Sequence, residues 1–278
     1  MHHTGHLSKM HLICGKTVQA SLVLDSQNVV LLNDYLGTKI SIEWLGDIHC
    51  IQCGRSTKKS FNQGYCFPCS QTLAACDWCI LKPELCHYAK GTCREPEWGR
   101  LHCMQAHIVY LANASGLKVG ITRAENIPTR WLDQGAAQAL PLIRVASRFQ
   151  SGLLEVAMTK LGLKDKTDWR QMLKSNSYTI NLLAERDAVL AQMNELLAES
   201  RGQFGENSLD ILNEPVQTFH YPVMEYPEKV KSLNLESMVK VEGRLLGVKG
   251  QYCLLDGGVI NLRKYTGYLV RFSVSESD

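Results

Sequence analysis

Nine of the eleven cysteines lie within the 54 residues from Cys50 to Cys103. A segment this rich in cysteine is too small to fold on an apolar core alone, so cross-links or bound metal must hold it together. The N-terminus lacks the apolar run of a secretory signal, and no later segment approaches the roughly 18 apolar residues of a membrane span. We therefore expect a cytoplasmic protein with no membrane partner, in which clustered cysteines bind metal as thiolates and do not form disulfides.

The first four cysteines of this block have the spacing Cys-x2-Cys-x12-Cys-x2-Cys. Each Cys-x-x-Cys turn presents two thiolates on one side of a tight loop, and two such turns complete the four-sulfur shell that Zn2+ accepts at about 2.3 Å per bond. A redox dithiol is the alternative, but that chemistry uses one pair in a βαβ context. The spacing predicts a structural zinc ribbon whose ligands are Cys50, Cys53, Cys66 and Cys69.

The other five cysteines are less regularly spaced and outnumber the ligands of one further site. We expect a second zinc ion here, and an iron–sulfur cluster, which also takes four cysteines, is the alternative. The spacing does not exclude a cross-brace arrangement. Lys58 and Lys59 flank the block and indicate a surface that can face phosphate. The most economical second ligand set is Cys76, Cys79, Cys86 and Cys93, with Cys103 as an alternative ligand.

Composition and hydrophobic patterning indicate a folded chain of several parts. Hydrophobic residues make up 45% of the 278 residues and charged residues 21%, which excludes a disordered or fibrous class. The formal charge of +3 is compatible with nucleic acid but does not require it. We predict an α+β protein with an N-terminal β module (1–48), a cysteine-rich metal-bound block (49–105), an α/β unit (106–205) and a C-terminal β module (206–278).

The two β modules share a short sequence pattern. Leu24-Asp25 followed by Tyr35-x-Gly37 is echoed by Leu255-Asp256 followed by Tyr265-x-Gly267, with one gap between the two registers. Chance likeness between short hairpins is one interpretation, because hairpins share turn residues and alternation. The other interpretation is that both ends carry the same module and meet as two halves of one barrel, or as paired barrels, around the middle of the chain.

The middle segment contains two strand-like stretches, Ile108-Val109-Tyr110 and Lys118-Val119-Gly120-Ile121-Thr122, followed by Arg130 and then by Glu155 in a helical pattern. This order resembles the GIY-YIG nuclease superfamily. In that superfamily two short strands carry the motif triplets, one helix carries an arginine, and a later helix carries a glutamate that holds a divalent metal. The resemblance implies a GIY-YIG-like α/β fold for this segment.

The resemblance also implies roles for particular residues. Hydrolysis of a phosphodiester needs a base for water, a cation opposite the developing charge and a metal that polarises the phosphate. Tyr110, Arg130 and Glu155 match these roles, with Mg2+ or Mn2+ held at Glu155. Lys118 replaces the usual tyrosine of the second triplet and can contact phosphate, while Gln134 stands where the superfamily often has His or Tyr.

Two Trp–Arg neighbours point to nucleic acid as the partner. Trp131 beside Arg130, and Trp169 beside Arg170, can stack a base next to a phosphate clamp. We predict a zinc-binding protein that acts on RNA or DNA as a metal-dependent endonuclease. The alternatives are a non-catalytic RNA- or DNA-binding module with a degenerate GIY-YIG-like fold and a protein–protein scaffold, so the sequence leaves open whether the chain is an enzyme.

The chain as a whole resembles a bacterial protein family catalogued only as a domain of unknown function. That resemblance implies the fold and the metal sites but no established activity. It rests on segments spread over most of residues 50–270: 57–69, 91–99, 117–123, 128–136, 165–170 and 250–263.

Overall fold

The protein combines helices with several β-sheets in a computed structural model that describes residues 2–25, 27–174 and 178–275. Short 3-10 turns join many of the elements. The strands are β1 (His2–His6), β2 (His11–Ile13), β3 (Gln19–Leu24), β4 (Asn28–Leu31), β5 (Lys39–Ile48), β6 (His107–Asn113), β7 (Leu117–Arg123), β8 (Gln138–Val145), β9 (Leu209–Ile211), β10 (Gln217–Thr218), β11 (Lys240–Lys249), β12 (Tyr252–Leu255), β13 (Gly258–Asn261) and β14 (Tyr268–Val274). The helices are α1 (Phe67–Thr72), α2 (Pro96–His102), α3 (Thr129–Asp133), α4 (Arg148–Lys160), α5 (Trp169–Met172), α6 (Leu182–Phe204) and α7 (Leu235–Met238).

Strands from the two ends of the chain form one sheet of six strands, in the order β1-β14-β5-β11-β12-β13. At its centre β5 pairs with β14 in antiparallel register, with Ile42 opposite Phe272 and Ile40 opposite Val274. β2, β3 and β4 form a three-stranded sheet, and both ends contribute to one apolar core. We call strands β1–β5 and β11–β14 together the paired β unit.

The two halves of the paired β unit exchange equivalent hydrogen bonds. The Gly37 N–H donates to the Leu245 carbonyl at 2.7 Å, and the Gly267 N–H donates to the Leu7 carbonyl at the same distance. Gly37 and Gly267 follow equivalent 3-10 turns and have φ values of 82° and 89°, a left-handed conformation that favours glycine. Each half therefore donates a backbone hydrogen bond to a carbonyl group of the other half.

The aspartates of the repeated pattern have equivalent contacts in the two halves. Asp25 Oδ1 accepts a hydrogen bond from the His6 N–H at 2.9 Å, and Asp256 Oδ1 accepts one from the Arg244 N–H at 3.1 Å. A glycine precedes the donor in both cases, and a Cβ on either glycine would overlap the carboxylate. The two ends of the chain thus meet and repeat one local arrangement.

The central sheet has the order β10-β8-β6-β7, with β9 also paired to β8. Every residue of β6 is buried, which accounts for its apolar run instead of an alternating pattern. On one face of β6, Ile108, Tyr110 and Ala112 pack in the same core as side chains of the paired β unit. On the other face, Val109 and Leu111 pack in a second core against α4 and α6. This sheet lies between the paired β unit and the two longest helices.

Helices α4 and α6 follow the apolar patterns that the sequence displays at 153–161 and 182–197. Ser147 caps α4 by accepting a hydrogen bond from the Gln150 N–H, and Asn181 caps α6 through the Ala184 N–H. In the part of the chain that the structure describes, no helix is both long and apolar enough to cross a membrane. The boundaries of the four segments named above stay a prediction.

Replacing Gly267 with alanine tests the exchange between the two halves. The new Cβ would overlap the carbonyl oxygen of His49, and the positive φ adds strain. We expect Gly267→Ala to lower the free energy of unfolding by about 2 kcal/mol. Gly257→Ala is the matched control, because a Cβ there meets open space. Denaturant titration measures the unfolding midpoints of both variants. Equal midpoints would contradict the exchange of hydrogen bonds between the two halves.

Candidate metal and phosphate sites

The first four cysteines form a compact group at the start of the cysteine block. Cys50 follows β5, Cys53 lies in a tight turn, and Cys66 and Cys69 lie at the start of α1. Their four sulfurs lie within 4.8 Å of one another, and Cys53 Sγ is 3.8 Å from Cys66 Sγ. A tetrahedron with bonds of about 2.3 Å has edges of about 3.8 Å, so this group has the dimensions of a single-ion site.

Backbone groups favour the thiolate form at Cys50. Burial opposes ionisation, but hydrogen bonds from the backbone N–H groups of Cys53, Cys66 and Gln52 outweigh it and lower the pKa of Cys50 to about 6. Desolvation and the neighbouring thiols raise the pKa of Cys69 to about 12, so a bound cation is needed to hold all four sulfurs as thiolates. The four cysteines can hold a metal ion, as the spacing predicts.

A second group of cysteines lines a small, partly open cavity. Cys79, Cys86, Cys93 and Cys103 line it together with Asp77 and His87, and its volume is about 10 Å³. Cys79 lies in the turn Trp78–Ile80, Cys86 follows the turn Pro83–Leu85, and Cys103 ends α2. The four sulfurs do not all come within 4.8 Å of one another, unlike those of the first group.

Cys76 does not line this cavity, and its role as a ligand stays a prediction. Burial raises the pKa of its thiol, and the groups that act on it are Asn62, Arg94, Cys50 and Glu95. Cys76 ends the 3-10 turn Ala74–Cys76, directly before the turn Trp78–Ile80 that carries Cys79. Cys103, the alternative ligand in the sequence prediction, lines the cavity.

Tyr110 and Gly120 face each other across β6 and β7. The two residues are directly paired in the antiparallel register, and the Tyr110 ring fills the space above Gly120. A Cβ on residue 120 would lie 2.6 Å from the phenolic oxygen. The glycine of the second triplet is therefore required by the tyrosine of the first, because only glycine leaves room for the ring.

The Tyr110 hydroxyl is held inside the protein. The side chain is fully buried and its hydroxyl donates a hydrogen bond to Gln134 Oε1 at 2.7 Å. Burial raises the pKa of Tyr110 to about 12, although the charge of Arg130 acts in the opposite direction. Tyr110, Gln134 and Arg130 thus lie together where α3 meets the central sheet.

Lys118 and Glu155 are oppositely charged neighbours of Tyr110 and Arg130. Lys118 is 3% exposed, and burial followed by the charge of Arg130 lowers its pKa to about 8, while Glu155 opposes the shift. Burial raises the pKa of Glu155 to about 7, and Lys118 opposes that shift. pKa shifts of this size on neighbouring charged groups are typical of functional sites. The structure brings together Tyr110, Lys118, Arg130 and Glu155.

Two charged residues near this site were missed by the sequence prediction. Asp165 raises the pKa of Glu155, while Arg148 lowers it. Arg148 precedes Glu155 by seven residues, two helical turns, which puts both on one face of α4 and was a usable signal. Asp165 follows α4 in an irregular segment and has no such periodicity. The site therefore contains Lys118, Arg130, Arg148, Glu155 and Asp165, and we call it the Lys–Glu site.

Helix α3 is anchored to both ends of the chain. Asp133, at the end of α3, accepts hydrogen bonds from Lys9 Nζ at 2.6 Å and from Gln251 Nε2 at 2.9 Å. Gln251 also bonds the backbone N–H and carbonyl of Met10. Arg130 is therefore positioned by the paired β unit.

The predicted nucleic-acid contacts have different surroundings. Lys58 and Lys59 are exposed beside the first cysteine group, and exposed Arg170 lies 4.3 Å above the centre of the Trp169 ring. Trp131 is fully buried and packs edge-on against Tyr110, so the structure corrects its predicted role: its ring cannot stack on a base.

Loss of one thiolate tests the first metal site. We expect Cys53→Ser to lose about one equivalent of zinc per chain, because a three-sulfur shell binds the ion far more weakly. Cys14→Ser is the control, since Cys14 is exposed and outside the block. Atomic absorption on both purified variants measures the difference, and equal zinc contents would contradict the assignment.

Comparisons with known proteins identify a family but no activity. A family model described as a protein of unknown function, DUF2797, matches residues 37–270. No curated protein and no solved structure gives a significant match. Because the matched range covers most of the chain, the protein belongs to the DUF2797 family.

Proposed function

We propose that this protein binds zinc and acts on nucleic acid as a divalent-metal-dependent endonuclease, with phosphodiester hydrolysis at the Lys–Glu site. The observation that supports the proposal is the convergence of Tyr110, Lys118, Arg130 and Glu155. They come from four separate elements, β6, β7, α3 and α4, in the order that the GIY-YIG resemblance implies.

The charges of the site suit a phosphodiester. Lys118 and Arg130 supply two cations against the charge that develops on the phosphate oxygens. Glu155, with Asp165 near it, offers the one or two carboxylates with which proteins usually hold Mg2+ or Mn2+. A divalent ion bound there would polarise the phosphate and acidify the attacking water.

Other parts of the chain support nucleic acid as the partner. Exposed Lys58, Lys59 and Arg170 can contact phosphates outside the reaction centre. The Cys50–Cys69 group, as a zinc site, would fix the loop that carries Lys58 and Lys59. Thiolate sites of this kind require a reducing compartment, so we place the protein in the cytoplasm.

A non-catalytic RNA- or DNA-binding module is the second candidate, and the environment of Tyr110 favours it. A fully buried phenol with a pKa of about 12 that already donates to Gln134 is a poor base for water. In this case Lys118 and Arg130 grip phosphate without cleaving the chain. The two candidates differ in whether the bound nucleic acid is hydrolysed.

Cleavage of labelled RNA and DNA in the presence of Mg2+ or Mn2+ distinguishes the candidates. We expect the wild-type protein to cut one of them and Glu155→Gln to lose at least about 100-fold in rate, since the metal ligand is gone. The same variant should still bind the substrate. Glu195→Gln, an exposed glutamate on α6, is the matched control and should cut normally. Tight binding without cleavage by any of the three proteins would establish the module instead.

The pH dependence of cleavage gives a second test. The rate should rise as pH passes about 7, because Glu155 must be ionised to hold the metal, and fall above about 8, because Lys118 then loses its positive charge. Lys118→Arg should extend activity to higher pH, since arginine stays protonated. An unchanged alkaline limb in this variant would show that Lys118 does not set it.

A further inference from the structure

We propose that His6, Asp47 and His49 bind a divalent metal ion, Zn2+ or one of similar chemistry, at a site separate from both cysteine groups. His6 ends β1, Asp47 lies near the end of β5, and His49 directly follows β5. The ligand atoms of the three side chains lie within 4.8 Å of one another. Two imidazoles and one carboxylate form a ligand set with which Zn2+ keeps a further position open. The site shares no residue with the Lys–Glu site, so the inference does not depend on the proposed nuclease activity.

The distances around the Asp47 carboxylate are close to those of a single-ion site. Asp47 Oδ2 lies 2.9 Å from His49 Nε2 and 3.8 Å from His6 Nε2. Around a tetrahedral ion with bonds of about 2.0–2.1 Å, neighbouring ligand atoms are about 3.3 Å apart. The two distances lie on either side of this value, so small movements of the two rings bring all three atoms to one ion.

One ring nitrogen of His6 is oriented by a carboxylate, which leaves the other nitrogen for the ion. His6 Nδ1 lies 3.1 Å from Asp25 Oδ1, and because an ionised carboxylate only accepts, Nδ1 carries the proton and Nε2 presents its lone pair. Among the described residues, His6 Nε2 is shielded from solvent and has no hydrogen-bond partner. A buried polar atom without a partner costs free energy, and a bound cation removes that cost. A carboxylate behind a metal-bound histidine is also the usual way in which proteins fix such a ring.

The other two ligands are held in place as well. The Ser56 hydroxyl donates a hydrogen bond to Asp47 Oδ1 at 2.8 Å, which leaves Oδ2 for the two histidines. This hydrogen bond lowers the pKa of Asp47, although burial acts against it, so the carboxylate is ionised at neutral pH. The His49 N–H donates to the Gly267 carbonyl at 2.8 Å, and the His49 ring stacks on His6 with 4.1 Å between the ring centres.

The repeated pattern at the two ends of the chain provides an internal comparison. Arg244 takes the place of His6 in the second half, because its backbone N–H donates to Asp256 as that of His6 donates to Asp25. Either side chain therefore allows the backbone contact, and the fold does not require a histidine at position 6. What the imidazole adds is a ring contact with Asp25 and a second nitrogen near Asp47.

Ion pairs without a metal are the competing interpretation. A proton on His49 Nε2 accounts for its 2.9 Å contact with Asp47, but it leaves the shielded His6 Nε2 without a hydrogen bond. The site is also accessible from one side, since the side chains of His6, Asp47 and His49 are 26%, 36% and 40% exposed. An ion can thus enter, and water or an anionic oxygen can complete its coordination.

Cobalt titration of the full chain tests the inference, with Co2+ as a spectroscopic substitute for Zn2+. The protein is purified without a histidine tag and washed briefly with a chelator. We expect one equivalent of Co2+ to bind with visible absorption but without the thiolate-to-metal charge-transfer band that cysteine ligands give. His6→Ala and His49→Ala should lose this equivalent. His11→Ala, which removes an exposed histidine of β2, is the matched control and should keep it. Equal uptake by His6→Ala and His11→Ala would overturn the inference.

A milder pair of variants tests the orientation of His6. Asp25→Asn keeps an oxygen for the His6 N–H but loses the charge behind the ring, so we expect Co2+ affinity to fall about 10-fold or more. Asp256→Asn changes the equivalent aspartate of the other half and should bind Co2+ as the wild type does. If His6→Ala fails to fold, as circular dichroism would show, this pair decides alone. Equal affinities in the two asparagine variants would then overturn the inference.

Discussion

Antiparallel pairing between β5 and β14 is the interaction on which the rest of the structure depends. It joins strands more than two hundred residues apart in the sequence, so everything between them must begin and end at the same sheet. The pairing also fixes the residues that hold α3, since Lys9 comes from one half and Gln251 from the other. A local change in this sheet therefore reaches the helix that carries Arg130.

The Lys–Glu site lies where three parts of the molecule meet. The central sheet supplies Tyr110 and Lys118, the paired β unit holds α3 with Arg130, and the cysteine block seats α4 with Glu155. None of these parts contains the whole set of charges. Correct relative placement of the three parts thus brings Lys118 and Glu155 together beside Arg130, where burial shifts the pKa values of Lys118 and Glu155.

Sequence alone predicts the features that depend on local spacing. The first cysteine group follows from two Cys-x-x-Cys turns, and the strands at the two ends follow from alternation and turn residues. Sequence alone does not predict the features that depend on the path of the chain between elements. Whether Cys76 or Cys103 faces the cavity depends on the turns between them, and Trp131 is buried beside the partly exposed Arg130 because neighbours on a helix point in different directions.

The equivalent hydrogen bonds of Gly37 and Gly267 give the two ends of the chain an internal symmetry. Two copies of one small chain related by a twofold axis would make the same reciprocal contacts, residue i of one copy with residue j of the other. The two ends of this protein are thus arranged like the two subunits of a twofold-symmetric dimer within one chain. The central sheet and the cysteine block form the connection between these two ends, so both cysteine groups and the Lys–Glu site lie in the connection and not in the symmetric part.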